Sequence, residues 1–231
     1  MRLCVIPARG GSKRIPRKNI KVFCGKPMIA WSVEVALKSN LFDKIIVSTD
    51  DAEISEVSKE FGAEVPFLRP QNLSDDYTGT TEVIAHAINW FLQKSISFTD
   101  VCCLYATAPF VQSSDLLRGF EILSNSKSTY AFSVTSFAFP IQRAIRLCKN
   151  ERVEMFHPEY LETRSQDLEE GWHDAGQFYW GKSNAWTQLL PIFSKDSSAV
   201  KLPRHRVQDI DTVEDWKRAE CLFKVLNLCE V

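Results

Sequence analysis

Two stretches of this chain carry residues whose types and spacing could handle a polyphosphate and a hard metal ion. Residues 8 to 26 read Ala-Arg-Gly-Gly-Ser-Lys-Arg-Ile-Pro-Arg-Lys-Asn-Ile-Lys-Val-Phe-Cys-Gly-Lys, with Arg9, Lys13, Arg14, Arg17, Lys18, Lys21 and Lys26 and no acid. Gly10 and Gly11 permit backbone conformations closed to other residues, so that several N–H groups can point at one anion. Arginine adds paired donors that fit phosphate oxygens. The spacing matches neither G-x-x-x-x-G-K-[ST] nor G-x-G-x-x-G. A charge run is ordinarily a solvated loop or a weak nucleic-acid patch. The phosphate reading is favoured because the run follows the first strand, and open α/β sheets bind ligands beyond the carboxyl ends of strands.

Near the other end, Gln208-Asp209-Ile210-Asp211-Thr212 sets two carboxylates two residues apart. In an extended segment residues i and i+2 point to the same side. Both could face one cation, and hard oxygen ligands beside phosphate suit magnesium. Each acid has an ordinary alternative: Asp211 as the N-cap of the following helix, Asp209 as a partner of Arg206 or of the basic loop. His157, His173 and His205 lack metal-ligand spacing, His86 is expected to be packed or solvent-facing on a helix, and nothing suggests a nucleophilic triad around Ser12.

The elements that must position these residues alternate. Leu3 to Pro7 is an apolar run without a polar face, as expected for a strand covered on both sides. Pro27 opens a helical pattern in which Ile29, Val33 and Leu37 recur. Lys44 to Thr49 reads as a second strand, and 52 to 61 as a helix stopped by Gly62. Helices over 80–93 and 113–124 alternate with strands at 101–104 and 130–134. A last helix over 213–226 presents Val213, Trp216, Ala219, Phe223 and Leu226 on one face. The implied fold is α/β, a mostly parallel twisted sheet with helices on both faces. Residues 8–26 and 136–173 break the rhythm, and long irregular segments in compact domains are usually functional or disordered. No linker divides the chain, so 1–231 is expected to form a single domain.

Composition closes off other classes. The 231 residues are 45% hydrophobic and 25% charged with a net charge of −1, which argues against a nucleic-acid or membrane-surface binder. No apolar run approaches the roughly 20 residues that span a bilayer, and the N-terminus is too briefly apolar for a signal peptide. The seven cysteines show no CxxC spacing. They read as buried thiols in a reducing compartment, with the cytoplasm as the expected location.

At this point a resemblance becomes specific. Ile6-Pro7-Ala8-Arg9-Gly10-Gly11-Ser12-Lys13 with Ile15-Pro16-Arg17-Lys18-Asn19-Ile20, then Ser48-Thr49-Asp50-Asp51, Arg69-Pro70 and Asp209-Ile210-Asp211-Thr212, resembles the acylneuraminate cytidylyltransferase family. The matches fall in order and span nearly the whole chain. The resemblance implies a Rossmann-like nucleotide-diphospho-sugar transferase fold, CTP as co-substrate, magnesium, and usually a homodimer whose inserted dimerisation element would be 136–173. It implies that Ala8, Arg9, Gly10, Gly11, Ser12, Lys13, Lys18 and Asn19 hold the triphosphate, with Arg69 and Thr80 in the Ser74–Thr81 stretch near cytosine and ribose. Asp209 and Asp211 would bind the metal, and Arg9, Lys18 and Asp209 would carry catalysis. Tyr105, Arg164, Gln166, Gln177 and Tyr179 would meet the sugar acid, Arg164 at its carboxylate. Trp172 and Trp180 are further candidates for shaping that pocket.

Two departures matter. Arg14 stands where the family often has Gly. Leu104-Tyr105-Ala106-Thr107-Ala108-Pro109-Phe110 replaces an L-Q-P-T-S-P-L run, and Tyr105 adds an aromatic face to a hydrogen-bonding tip. That run, with His173 to Trp180, resembles the pseudaminic acid branch. The expected substrate is therefore pseudaminic acid, with N-acylneuraminate or legionaminate as alternatives. Two different classes share parts of the pattern: a DxD glycosyltransferase, which would use a nucleotide sugar, and a nucleotide-binding regulator without turnover.

Overall fold

The computed structural model describes residues 1–229. In chain order it contains β1 (Arg2–Pro7), the short β2 (Val22–Phe23) and β3 (Lys26–Pro27), α1 (Met28–Ser39), β4 (Lys44–Ser48), α2 (Ala52–Glu60) and α3 (Thr80–Leu92). Then follow β5 (Asp100–Leu104), α4 (Ser113–Asn125), β6 (Tyr130–Ser136), β7 (Ile145–Leu147), β8 (Val153–Met155), β9 (Trp172–Lys182), α5 (Ser183–Thr187), β10 (Ser197–Lys201) and α6 (Val213–Cys229). Six strands form the central sheet in the order β10-β6-β9-β5-β1-β4. β1 runs parallel to β4 and β5, and β10 parallel to β6, while β9 is antiparallel to both neighbours.

The alternation of β1 explains the layers. Cys4 and Ile6 face a cluster with Ile29, Val33 and Ala36 of α1, whereas Leu3 and Val5 face Ile84, Ile88 and Phe91 of α3. Both faces are covered, which is why the strand has no polar side. Leu37 departs from the expected helical stripe: it is 41% exposed, and Ala36 is the residue packed inside. Val213, at 51% exposure, likewise stays outside the packed face of α6 that Trp216 and Ala219 form. The α2 start is fixed by Asp51, whose carboxylate accepts from Ile54 N–H at 3.0 Å, and Gly62 follows with φ +97, a left-handed stop that favours glycine.

A third apolar cluster joins chain segments far apart in sequence. Ile15 and Phe23 pack with Phe110, Ile210, Trp216 and Ala219. Ile210, the residue between the two aspartates, is 1% exposed, as is Ile15 in the basic loop. Burial of these two side chains draws the start and the finish of the chain together, since buried apolar area is stabilising wherever in the sequence it comes from.

Residues 136–173 form an arm of short turns around the β7–β8 hairpin, with Phe139, Leu147, Val153 and Leu161 all more than half exposed. The cysteines are not uniformly buried: Cys4, Cys102 and Cys103 are, Cys24 and Cys148 are half-buried and Cys221 is exposed, all as free thiols. The Cys229 side chain lies outside the described residues. Trp180 is a core residue at 0% exposure, stacked on Phe42 with ring centroids 5.1 Å apart, and is removed from the candidates for the sugar pocket. Among the described residues no helix is long and apolar enough to cross a membrane.

Candidate active site

A cavity of about 380 Å³ opens at the carboxyl ends of β1 and β5. Four of the seven loop cations line it: Arg9, Lys13, Arg14 and Lys18, together with Ser12 and Asn19. The other three have structural partners. Arg17 forms an ion pair with Asp51 and Glu53, Lys26 pairs with Glu34, and Lys21 lies over the Trp216 ring at 4.7 Å. The run of like charge is thus divided by tertiary contacts into a cavity set and a scaffold set.

The glycines act differently from the sequence expectation. Neither Gly10 nor Gly11 has a positive φ. Gly10 is needed for close approach, because a Cβ there would sit 2.6 Å from an Asp51 oxygen; Gly11 meets nothing within 4 Å. Two of the loop amides are committed internally: Gly10 N–H donates to Asp50 at 3.0 Å and Ser12 N–H to the Gly10 carbonyl at 3.0 Å. These two amides are therefore not free to meet an anion. Asn19 braces the loop by donating to the Arg9 carbonyl at 3.0 Å.

The two ends of the chain meet at Lys18. Its ammonium donates to the Ile210 carbonyl at 2.7 Å and to Asp211 at 3.3 Å. Arg14, the departure from the expected glycine, pairs with the other Asp211 oxygen at 2.8 Å. Asp211 is not the helix cap. Thr212 holds that role, accepting from Asp215 N–H at 3.2 Å while Asp215 accepts from Thr212 N–H at 2.8 Å, a reciprocal arrangement that satisfies two free amides. Arg206 is likewise taken, paired with the buried Asp115, so it is not the partner of Asp209. Asp209 is an exposed residue beside the cavity rather than in its lining. Its carboxyl is nonetheless pushed above the usual range, by desolvation first and by the charge of Asp211 next, with Lys18 opposing. A cation between the two carboxylates would relieve that repulsion.

Arg69 supplies the clearest unmet demand. It is 6% exposed and lines the cavity, yet its Nε and Nη2 have no hydrogen-bond partner, and Asp50 is 3.8 Å away. Desolvation lowers its pKa, with Asp50 acting against that and Arg9 with it. Buried unpartnered donors are costly, so an acceptor from a ligand fits here. His86 packs edge-on to Phe67 at 4.9 Å, with Nδ1 unpartnered.

The segment 73–80 forms the facing wall, and sequence reasoning did not single out its two acids. Asp76 pairs with Arg9 and Lys13, and Arg9 also donates to the Asp75 carbonyl at 2.7 Å. Asp75 in turn orders the loop, accepting from Tyr77 N–H at 3.0 Å and Thr78 N–H at 2.7 Å. The signal available was their place just before an expected helix, where Asp ordinarily signals a turn.

Of the residues expected to meet the sugar acid, Tyr105 lines the cavity, hydrogen-bonded at 3.0 Å to Thr80, which lines it too. Tyr179 and Gln177 lie behind that wall, 3% and 1% exposed. Gln177 donates to the Ala175 carbonyl at 2.9 Å. Arg164 and Gln166 are not brought to the cavity within one chain. They stand on the arm, and Arg164 holds Asp167 at 2.7 and 3.2 Å.

No group of three or more metal-ligating side chains converges among the described residues. Asp209 and Asp211 alone suit magnesium, which is commonly held by one or two carboxylates plus substrate phosphates and water.

The family model described as "Cytidylyltransferase" matches residues 3–166. The chain is 48% identical over 223 residues to a pseudaminic acid cytidylyltransferase of Campylobacter jejuni subsp. jejuni serotype O:2, covering 96% of each. It is 38% identical to a CMP-N,N'-diacetyllegionaminic acid synthase of Legionella pneumophila subsp. pneumophila, again covering 96% of each. Among solved structures, a CMP:2-keto-3-deoxy-manno-octonic acid synthetase complexed with CTP shares the fold with a TM-score of 0.70 at 17% identity, over 96% of this chain and 98% of that one. The family match and the similarity to these relatives lead to one assignment: the chain belongs to the cytidylyltransferase family.

Proposed function

We propose that this protein transfers CMP from CTP to pseudaminic acid, a nine-carbon sugar acid, and releases pyrophosphate. The observation that carries the reading is the meeting of Lys18 with Ile210 and Asp211 in a cavity lined by Arg9, Lys13 and Arg14. That arrangement offers cations for a triphosphate and carboxylates for its metal in one place.

The anomeric hydroxyl of the sugar attacks the α-phosphorus in line with departing pyrophosphate. Both reactants are anionic, so positioning and charge compensation are what the protein must supply. Arg9, Lys13 and Lys18 hold the phosphates and offset charge developing on the leaving group, with Arg9 and Lys13 exchanging Asp76 for phosphate oxygens. Arg69 and Thr80 meet the nucleoside, and Tyr105 meets the sugar acid. Arg164 and Gln166, which one chain does not bring to the cavity, reach the sugar acid from the arm of the second copy in a homodimer, with Arg164 exchanging Asp167 for the sugar carboxylate. Asp209 and Asp211 would hold magnesium, which would supply screening of the phosphate charge. The arm carries several exposed apolar residues, among them Phe139, Leu147, Val153 and Leu161, and clustered exposed apolar surface marks interaction sites, which supports a homodimer joined through residues 136–173. The cytoplasm, where free thiols persist, is the proposed location.

Pyrophosphate release from CTP and magnesium is the test, run with pseudaminic, legionaminic and N-acetylneuraminic acids in parallel. The expected result is fastest release with pseudaminic acid. Faster release with another acid would reassign the substrate. No release with any acid would turn the reading toward a regulator, or toward a glycosyltransferase if a CMP- or UDP-sugar were consumed instead.

A further inference from the structure

Arg14 lines the cavity but has no part in the transfer as proposed, and its partner is one of the two carboxylates assigned to the metal. The four cations on the cavity wall divide between two acids. Arg9 and Lys13 are paired with Asp76 on the facing wall. Arg14 and Lys18 are paired with Asp211, one on each carboxylate oxygen, at 2.8 and 3.3 Å.

The Arg14–Asp211 pair stands on anchored backbone. Arg14 precedes Ile15 and Asp211 follows Ile210, and each isoleucine is 1% exposed in the same apolar cluster. Lys18 N–H donates to the Ile15 carbonyl at 3.2 Å, its ammonium donates to the Ile210 carbonyl at 2.7 Å, and Asp211 N–H donates to Asp215 at 3.2 Å. Both chain segments are thereby held in place. The Arg14 side chain is 66% exposed, and it is the part that can turn.

Asp211 meets magnesium through a carboxylate oxygen, yet each of its oxygens already carries a cation. A dication beside a guanidinium and an ammonium is repelled. A triphosphate shifts that balance, because a guanidinium fits phosphate oxygens with paired donors. Arg14 and Lys18 can then leave Asp211 for the phosphates.

We infer that Arg14 guards Asp211: together with Lys18 it keeps this carboxylate closed to a divalent cation until a triphosphate takes both side chains, so that metal joins with the nucleotide and not ahead of it. Arg14 is a positioning residue, acting through Asp211. A glycine at position 14, as the family often has, could not act in this way. The inference rests on the proposed transfer for the identity of the anion and of the metal. Such coupling is reciprocal, so metal favours the nucleotide as much as nucleotide favours the metal.

The probe is Mn2+ alone, added to the full chain without nucleotide and followed through the electron paramagnetic resonance of the unbound ion. Arg14→Met removes the guanidinium from an exposed position and should tighten Mn2+ binding about fourfold or more. Lys13→Met takes the same charge from the same cavity, but from Asp76; salt screens that exposed charge, so affinity should stay within about twofold. Adding Asp211→Asn to Arg14→Met should abolish the gain. Equal affinity in Arg14→Met and the unaltered protein, including binding too weak to read in both, would overturn the inference. So would an equal gain in Lys13→Met, which a general field effect predicts, or a gain that survives Asp211→Asn. None of these outcomes bears on pyrophosphate release by the unaltered protein, which remains the separate test of the reaction.

Discussion

At the residue scale, Asp209 and Arg69 carry opposite tensions. Asp209 carries a carboxyl pushed above the usual range by desolvation first and by the charge of Asp211 next. Asp209→Asn should reduce turnover by orders of magnitude while circular dichroism stays unchanged; near-normal turnover would remove its metal role. Arg69 is a buried guanidinium with two nitrogens unpartnered. Burying a charge is costly unless it is well paired, and the one carboxylate near Arg69, that of Asp50, stands 3.8 Å away. Arg69→Met should therefore leave the melting temperature of the free protein level or higher, yet weaken CTP binding by about tenfold or more. A thermal-shift series with and without CTP reads both, and a lowered melting temperature without CTP would mean that Arg69 is structural.

At the element scale, the α2 cap and the basic loop are tied by one carboxylate. Asp51 caps α2 through Ile54 N–H, crowds Gly10 and receives Arg17. The Arg17 hydrogen bond is the main reason its pKa falls to about 2, with burial opposing and the Ile54 amide assisting. A folded-state pKa below the unfolded value of about 3.9 gives stability that is full above that pH and is lost as pH falls toward the folded value. With both side chains partly open to solvent, the contribution is about 1 kcal/mol. Arg17→Met should lower the melting temperature at pH 7 and narrow the difference from the unaltered protein between about pH 4 and pH 2. An equal deficit at every pH would mean that packing, not the ion pair, is what Arg17 supplies.

At the scale of the whole molecule, the arm is the exposed apolar feature. Phe139 and Leu147 are 81% and 78% exposed, away from the cavity residues. If they pack against a second copy, sedimentation should give a dimer, and Phe139→Asp with Leu147→Asp should give a monomer of unchanged secondary structure. A monomer before substitution would assign the arm another role.

Much of this was written locally. Leu3 to Pro7 had to be a doubly covered strand, and the alternation that follows yields a sheet whose carboxyl edge bears the basic loop. The loop and the Asp209–Asp211 pair were recognisable because their chemistry lies in adjacent residues. Other features depend on contacts between residues far apart in the chain. The 172–182 stretch carries polar residues and a left-handed Gly176, so its pattern hid a central antiparallel strand. Thr212, not Asp211, caps α6 because its own hydroxyl meets Asp215 N–H. Which loop cations face the cavity was decided by Asp51, Glu34 and Trp216. Sequence thus determined which groups were available and on which edge of the sheet they would lie. Tertiary structure decided how they are paired, because a hydrogen bond or ion pair depends on distances that periodicity does not contain.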